Sequence, residues 1–490
     1  MIYRSPLPAV AVPERTVPDH VLDHARHNDQ VALVDAVTGE ALTYAELAAQ
    51  VTRTAKGLVA NGIKPGDTVA IASPNRPRYA VGLHAVMAAG ATAALINPVL
   101  TPKEAGRLKA LANVTATLDL DDLPASDSAT LPRTDPGSTA AVLFSSGTTG
   151  LTKAVRLSHR ALVANLEQHR PGWRIDSTDV LAANLPFFHI YGFTIILNSG
   201  LLGGARLVTM PRSDAGTYLR RLAEHRVTRA FLVPPLATAI ADHREQPPEL
   251  ALKLVLCGAA PLDDAIRQAA ERTLRAPVRQ GYGLTEAGGT HQTFDGDLES
   301  DPTSVGVLCP GTEARIVEPG TTVDAAEGEM LIRGPQVMDG YLGDEQATRE
   351  AFVDGWLRTG DLVRVRDGRF HVVDRIKEMI KYKGYQIAPA ELEALLRRHP
   401  AVLDAAVTGA PDRVNGEIPK AFVVRQGDVT AEELMAFVAA EVAPYKKVRQ
   451  VEFVPEIPKS VSGKILRRLL KDTPGGFTPV EQSADLSAES

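Results

Sequence analysis

The chain has 490 residues, of which 44% are hydrophobic and 23% charged, and a formal net charge of −6. This is ordinary globular composition, long enough for more than one domain and a large core, with no basic surplus to make nucleic acid a partner. Cys257 and Cys309 alone give no disulfide framework or multi-cysteine metal site, no apolar run approaches the ~20 residues of a membrane span, and MIYRSPLPAVAVPERTVPDH lacks a signal-peptide pattern, so a cytoplasmic protein without a membrane partner is expected.

Residues 43–62 (TYAELAAQVTRTAKGLVANG) predict an amphipathic helix with Thr43 as N-cap and Gly62 as stop. DTVAIAS (67–73) predicts a strand, VGLHAVMAAG (81–90) a helix and ATAALI (91–96) another strand. The stretch 121–137 reads as a surface loop. Strand AAVLF (140–144) follows, then helix ALVANLEQHR, strand DVLAANLP, helix GTYLRRLAEHR, strand TRAFLVPP, buried strand LKLVLCG (252–258) and helix DDAIRQAAERTL. Such alternation predicts a parallel α/β sheet. From about residue 300, short β runs (TEARIVEPG, GEMLIRGP, DGWLRTGDLVRVRDGRFHVV) predict an antiparallel unit. After residue 376 an α+β pattern returns, with helices at PAELEALLRRHP and AEELMAFVAAEV, and the tail 473–490 is expected to be disordered.

Between strand 140–144 and helix SHRALVANLEQH lies SSGTTGLTK, residues 145–153. Glycines allow close backbone approach, consecutive N–H groups and hydroxyls wrap anionic oxygens, and Lys153 adds a charged donor. The loop therefore suits polyphosphate, although a solvated polar loop has the same composition. It is not a Walker motif: two residues, not four, separate Gly147 from Gly150, and Lys153 lies three past Gly150. Ser145, Ser146 and Lys153 also match the residue types of a Ser-Ser-Lys amidase, with serine as nucleophile and lysine as base.

Other motifs favour a nucleotide. In QGYGLTE (280–286), the Tyr282 ring can stack on a base and Glu286 can hold Mg²⁺ against phosphates. In RTGDLV (358–363), Asp361 can accept both hydroxyls of a ribose. DRIKEMIKYKGYQIAPAELE (374–393) gathers Arg375, Lys377, Lys381 and Lys383 before Gly384, and PKSVSGKILRR (458–468) puts Lys464 in a turn. Arginines outnumber lysines 38 to 15, so a lysine is mildly informative, yet the bland reading of Lys377, Lys381 and Lys383 is a basic solvated helix end.

SSGTTGLTK, PFFHIYGF (186–193), GYGLTE, TGD and DRIKEMIKYKGYQIAPAELE, with Lys464 following, stand in the order seen in the adenylate-forming superfamily. The chain resembles its acyl- and aryl-CoA synthetases, luciferases and peptide-synthetase adenylation domains over residues 15–470, and looks nearest to 4-coumarate–CoA ligases. The resemblance implies an α/β fold: a large N-terminal domain (1–376) of layered α/β sheets with a β-barrel-like subdomain, and a small mobile α+β C-terminal domain (377–490) hinged near Lys377. It implies that a carboxylate attacks the α-phosphate of ATP to give acyl-AMP, and that a thiol, usually of coenzyme A, then displaces AMP. A carrier-protein phosphopantetheine or an amine is the alternative acceptor.

By the same resemblance, Ser145, Ser146, Gly147, Thr148, Thr149, Gly150 and Lys153 embrace the β- and γ-phosphates. Thr285 contacts the α-phosphate and Glu286 binds Mg²⁺. Gly258, Ala259, Ala260, Gly281, Tyr282 and Gly283 hold adenine, and Asp361 and Arg375 the ribose. Lys464 bridges carboxylate and α-phosphate during adenylation. His189 orients the carboxylate, while Tyr191, Gly283, Gly288, Gly289 and Thr290 line the acid's pocket. Lys381, Gly384 and Gln386 serve the thiol step after the domain rotates. The chain departs from the pattern at Thr152 and Ala154, where Pro and Gly are usual, and at Gly289–His291, where coumarate ligases continue Pro-Val. Glycine there either opens room for a bulkier acid or relaxes a turn.

Overall fold

The computed structural model describes residues 1–146, 152–293, 301–383, 385–460 and 463–471. The expected tail 473–490 lies outside these residues. The chain divides into two compact units, Met1–Val372 and Val373–Ser490, with the division inside strand Arg369–Arg375 rather than at residue 376.

Two sheets form the body of the first unit. The seven-stranded sheet runs Val278–Gln280, Leu254–Cys257, Arg229–Leu232, Val180–Ala183, Arg206–Thr209, Val31–Asp35, Ala41–Thr43. Its pairs are parallel except the last, so the apolar runs between helices become buried strands as predicted. Separate apolar clusters cover its two faces, one centred on residues such as Leu33 and Leu207, the other on Leu222 and Val255. The six-stranded sheet runs Gly340–Tyr341, Thr152–Ser158, Thr139–Ser146, Thr92–Ile96, Thr68–Ala72, Ala116–Thr117, with its first two pairs antiparallel and the rest parallel.

The expected helix at 43–62 is Tyr44–Ala60, closed by a reciprocal Thr43–Glu46 capping box. The helix expected at 81–90 begins earlier, at Pro77, because a proline in the first turn needs no N–H partner and its φ is already helical. After residue 300 the chain forms an open antiparallel half-barrel: Tyr3–Arg4, Glu313–Val317, Glu327–Arg333, Trp356–Arg366, Phe352–Val353, with Arg369–Arg375 beside Trp356–Arg366. A three-stranded sheet, Tyr282–Leu284, Gly288–Gln292 and Val307–Leu308, makes a smaller unit.

In the second unit a five-stranded sheet and helices Pro389–Arg397 and Ala431–Glu441 enclose their own core. Arg467 is tied there to Glu378, to Glu393 at 2.7 Å and to the Val407 carbonyl at 3.1 Å. Burial pushes the nearby Asp374 carboxyl up to about 6. The segment around Lys381 is not a helix end. Ile380–Tyr382 and Tyr385–Ile387 are antiparallel strands, because Ile380 and Ile387 alternate with polar residues at period two and are buried. Among the described residues no helix is long and apolar enough to cross a membrane.

Two local features were not expected. SSGTTGLTK is not all loop: strands run through Ser146 and from Thr152, and the intervening 147–151 lie outside the described residues. Tyr191–Asn198 is a π-helix. Its wider turn is fastened by side chains: Asn198 donates to the Phe193 carbonyl at 2.8 Å and Ser199 to the Thr194 carbonyl at 3.1 Å, each five residues back. Its start requires Gly192, where a Cβ would lie 2.1 Å from the Pro186 carbonyl oxygen. Gly192→Ala is therefore expected to destabilise the fold by ~1–3 kcal/mol, read as a lower denaturation midpoint.

The first unit buries neutral histidines. Burial lowers His159, His169 and His189 to about 4 and His291 to about 3. Their folded values lie below the ordinary ~6.5, so the unfolded chain binds the extra protons as pH falls through 6.5. Stability present above pH ~6.5 should be lost progressively toward pH 4, by on the order of 1 kcal/mol per pH unit for each histidine. Asp374, raised rather than lowered, opposes this with a single proton. Denaturation midpoints measured between pH 7.5 and 4.5 should fall, and His291→Phe should fall less steeply than the wild type.

Candidate active site

Where strands Leu254–Cys257 and Val278–Gln280 of the parallel sheet end, the chain opens a cavity. Ligands of open α/β sheets bind beyond the carboxyl ends of the strands. The sheet delivers Gly258 and Ala259 from one strand end and Gly281, Tyr282 and Gly283 from the next. His189 and Tyr191 enter from the start of the π-helix, and Gly288 and Gly289 from the three-stranded sheet. Nine expected residues from distant motifs thus share one cavity. Ala259 holds φ +75°, a strained value for a residue with a Cβ. Ala260 is next in the chain and half-buried. Thr290 is fully buried and its hydroxyl pairs with His291 Nδ1 at 2.9 Å.

The Tyr282 hydroxyl donates to Asp361 Oδ2 at 2.5 Å, and Asp361 is only 2% exposed. This bond links the GYG and TGD motifs. Tyr191 donates its hydroxyl to the Leu256 carbonyl at 3.1 Å, and its ring meets Phe231 edge-on. His189 Nδ1 accepts the Tyr191 backbone N–H at 3.3 Å, which leaves Nε2 to carry the proton. Since burial holds this imidazole to about 4, it is a neutral donor at ordinary pH.

A second cluster gathers four side chains. Register makes Ser145 and Lys153 direct cross-strand partners, and pairs Tyr341 with Val155, two residues on from Lys153. Period-two alternation therefore puts Ser145, Lys153 and Tyr341 on one face of the six-stranded sheet. Glu286 meets that face and accepts from Ser145 Oγ at 2.8 Å and from the Tyr341 hydroxyl at 3.1 Å. Lys153 Nζ lies 4.5 Å from the Tyr341 ring centroid. Ser145 thus donates to a carboxylate, not to Lys153, which opposes the amidase arrangement. Thr285 is half-buried in the turn before Glu286. Gly147, Thr148, Thr149 and Gly150 lie outside the described residues.

Among the described residues no group of three or more His, Cys, Asp or Glu is placed to hold a metal. A lone carboxylate fits Mg²⁺, which keeps several waters and is held by one or two carboxylates together with substrate phosphates.

Sequence reasoning missed His169 and Trp173. They sit four apart on helix His159–Trp173, stack at 4.6 Å and line the cavity. Their spacing reads as an ordinary core stripe. The glycine at 289 serves this pair. A Cβ there would lie 2.5 Å from His169 Nε2, so the room that glycine opens is filled by the protein's own imidazole. None of the described residues lining the cavity is charged.

In the second unit, Lys381 and Gln386 face each other across the hairpin and are both exposed. Gly384 lies outside the described residues. Lys464 is half-buried in a turn in which its N–H meets Ser460 Oγ at 3.1 Å and its carbonyl accepts the Ser460 N–H at 2.8 Å. The Arg375 N–H donates to Asp374 Oδ1 at 2.7 Å.

The sequence matches the AMP-binding enzyme family over residues 22–130 and 105–342, and the AMP-binding enzyme C-terminal domain over 391–464. It is 38% identical to 4-coumarate–CoA ligase-like 4 of Oryza sativa subsp. japonica, over 95% of this chain and 94% of that one. The fold is similar to o-succinylbenzoate CoA synthetase (MenE) from Bacillus subtilis in complex with its acyl-adenylate intermediate OSB-AMP, with TM-score 0.84, 27% identity, and 95% and 100% of the two chains covered. It is also similar to the amide bond synthetase McbA from Marinactinospora thermotolerans, with TM-score 0.82, 28% identity, and 93% and 98% covered. The chain belongs to the AMP-binding enzyme family, and within it to the AMP-forming carboxylate–CoA ligases.

Proposed function

We propose that this cavity binds the adenylate of an uncharged-bodied carboxylic acid and that the phosphate-facing cluster beside Glu286 handles the leaving pyrophosphate of ATP. The observation that carries the reading is the convergence of the GYG and PFFHIYGF motifs on one cavity at the strand ends, with Asp361 of the TGD motif bonded to the cavity's Tyr282. Asp361, fixed by Tyr282, and Arg375 take the ribose. Gly258, Ala259, Ala260, Gly281, Tyr282 and Gly283 take adenine. Ser145, Ser146, the 147–150 segment and Lys153 take the β- and γ-phosphates, and Thr285 the α-phosphate. Glu286 would hold a Mg²⁺ ion, which when bound would neutralise phosphate charge.

In the first step a carboxylate oxygen bonds to the α-phosphorus and the bond to the bridging β-oxygen breaks, releasing pyrophosphate. The neutral Nε2–H of His189 suits it to orient that carboxylate without trapping it as an ion pair. Lys464 is the cation that steadies the charge building at phosphorus. In the second step the sulfur of CoA attacks the acyl carbon and AMP leaves, with Lys381, Gly384 and Gln386 at the thiol side. The hinge near Lys377 exchanges the two arrangements. An uncharged cavity lining favours an aryl or alicyclic acid over one with a second carboxylate, which would enter without a partner. The similarity to an amide bond synthetase favours an amine as second acceptor. We place the activity in the cytoplasm, whose reducing conditions suit a chain with two buried free cysteines and no disulfide between them.

The test is pyrophosphate exchange that requires an added carboxylic acid, screened over aryl, fatty and polycyclic acids with CoA, amine or neither. Exchange without any acid dependence would remove the adenylating reading. Lys464→Ala should abolish exchange yet leave thiolysis of supplied acyl-AMP largely intact, and Lys381→Ala should slow thiolysis more than exchange. Asp361→Ala should raise the KM for ATP by ~10–100-fold, the loss of a charge-assisted hydrogen bond worth ~1.5–3 kcal/mol.

A further inference from the structure

Tyr341 stands between the two oppositely charged groups of the phosphate-facing cluster. Its ring face carries Lys153 Nζ at 4.5 Å, and its hydroxyl donates to Glu286 Oε1 at 3.1 Å. Ser145 Oγ donates to that same oxygen at 2.8 Å, and Glu286 Oε2 accepts no hydrogen bond among the described residues. Lys153 forms no ion pair with any described carboxylate. Without the ring, the two half-buried groups would attract each other strongly in a medium poorer than water. A direct pair would neutralise both, and a phosphate or a metal would have to break it.

Resting on the assignment of Lys153 to phosphate and Glu286 to metal, we propose that Tyr341 is a positioning residue, a spacer that keeps Lys153 and Glu286 unpaired. The ring face offers the ammonium group a weaker, easily surrendered resting place. The hydroxyl and Ser145 occupy one carboxylate oxygen and turn the other outward for a metal, the orienting work that second partners do around metal ligands. The spacer is itself fixed. Its backbone pairs with Val155, its N–H donates to Thr348 Oγ1 at 2.9 Å, and Thr348 Oγ1 donates to the Asp344 carbonyl at 2.8 Å. The same stretch holds the Glu286 backbone, through the Met338 N–H to the Glu286 carbonyl at 2.8 Å. Tyr341 is 9% exposed, so the ring has little freedom to leave.

Calorimetric ATP binding, titrated against Mg²⁺ with the full-length protein, tests this without relying on turnover. Tyr341→Phe keeps the ring and loses the hydroxyl; it should raise the Mg²⁺ concentration for half-maximal ATP binding ~10-fold while affinity at saturating Mg²⁺ changes little. Tyr341→Leu removes the spacer and should also weaken ATP ~10-fold at saturating Mg²⁺. Adding Lys153→Met should then weaken ATP binding much less in Tyr341→Leu than in the wild type, because the lysine is already engaged by Glu286. A Tyr341→Phe protein with wild-type Mg²⁺ dependence overturns the orienting role of the hydroxyl, and a Tyr341→Leu protein with wild-type ATP affinity at saturating Mg²⁺ overturns the spacer role; either result leaves the nucleotide reading standing. Should Tyr341→Leu fail to fold, Tyr341→Met removes the ring with a more adaptable side chain and makes the same test. Wild-type ATP binding that ignores Mg²⁺ overturns both.

Discussion

The buried hydrogen bond from Tyr282 to Asp361 is the constraint around which the first unit is arranged. Tyr282 belongs to the three-stranded sheet that begins where the parallel sheet ends, and Asp361 to the longest strand of the half-barrel. One short bond thus joins two layers of different construction. A carboxylate buried to this degree is stable only when it is paired. The bond fixes where the two sheets meet, beside the cavity that Tyr282 lines.

Charge is managed in two opposite ways around that joint. In the cavity it is excluded, since the described lining residues carry none and the histidines are held neutral by burial. At the cluster around Tyr341 it is present but kept apart, with the cation and the carboxylate on different parts of one tyrosine. The parallel sheet supplies the apolar environment and the antiparallel corner of the six-stranded sheet supplies the charged one.

Much of this was legible in the sequence. Motifs near residues 189, 258 and 282 pointed to groups that do share one cavity, and the motif at 361 to a carboxylate bonded to Tyr282. The parallel sheets could be read from buried runs such as LKLVLCG. Three features could not. The π-helix has no propensity signature, and the Asn198 and Ser199 side chains that fasten it to carbonyls five residues back are residue types that suit many other settings. The strand on either side of 147–151 was hidden by a composition that also suits loops. Tyr341 was passed over because its significance comes from three residues brought to it by sheet register, far from it in sequence.

The filled space beside Gly289 has a consequence for how such a cavity changes over time. A side chain at 289 and the imidazole at 169 compete for the same volume. Enlarging residue 289 alone produces a collision, and shrinking residue 169 alone produces a void. The space at this point of the cavity is thus set by a pair of positions on different elements, and reshaping it has to pass through a simultaneous change or a handicapped intermediate.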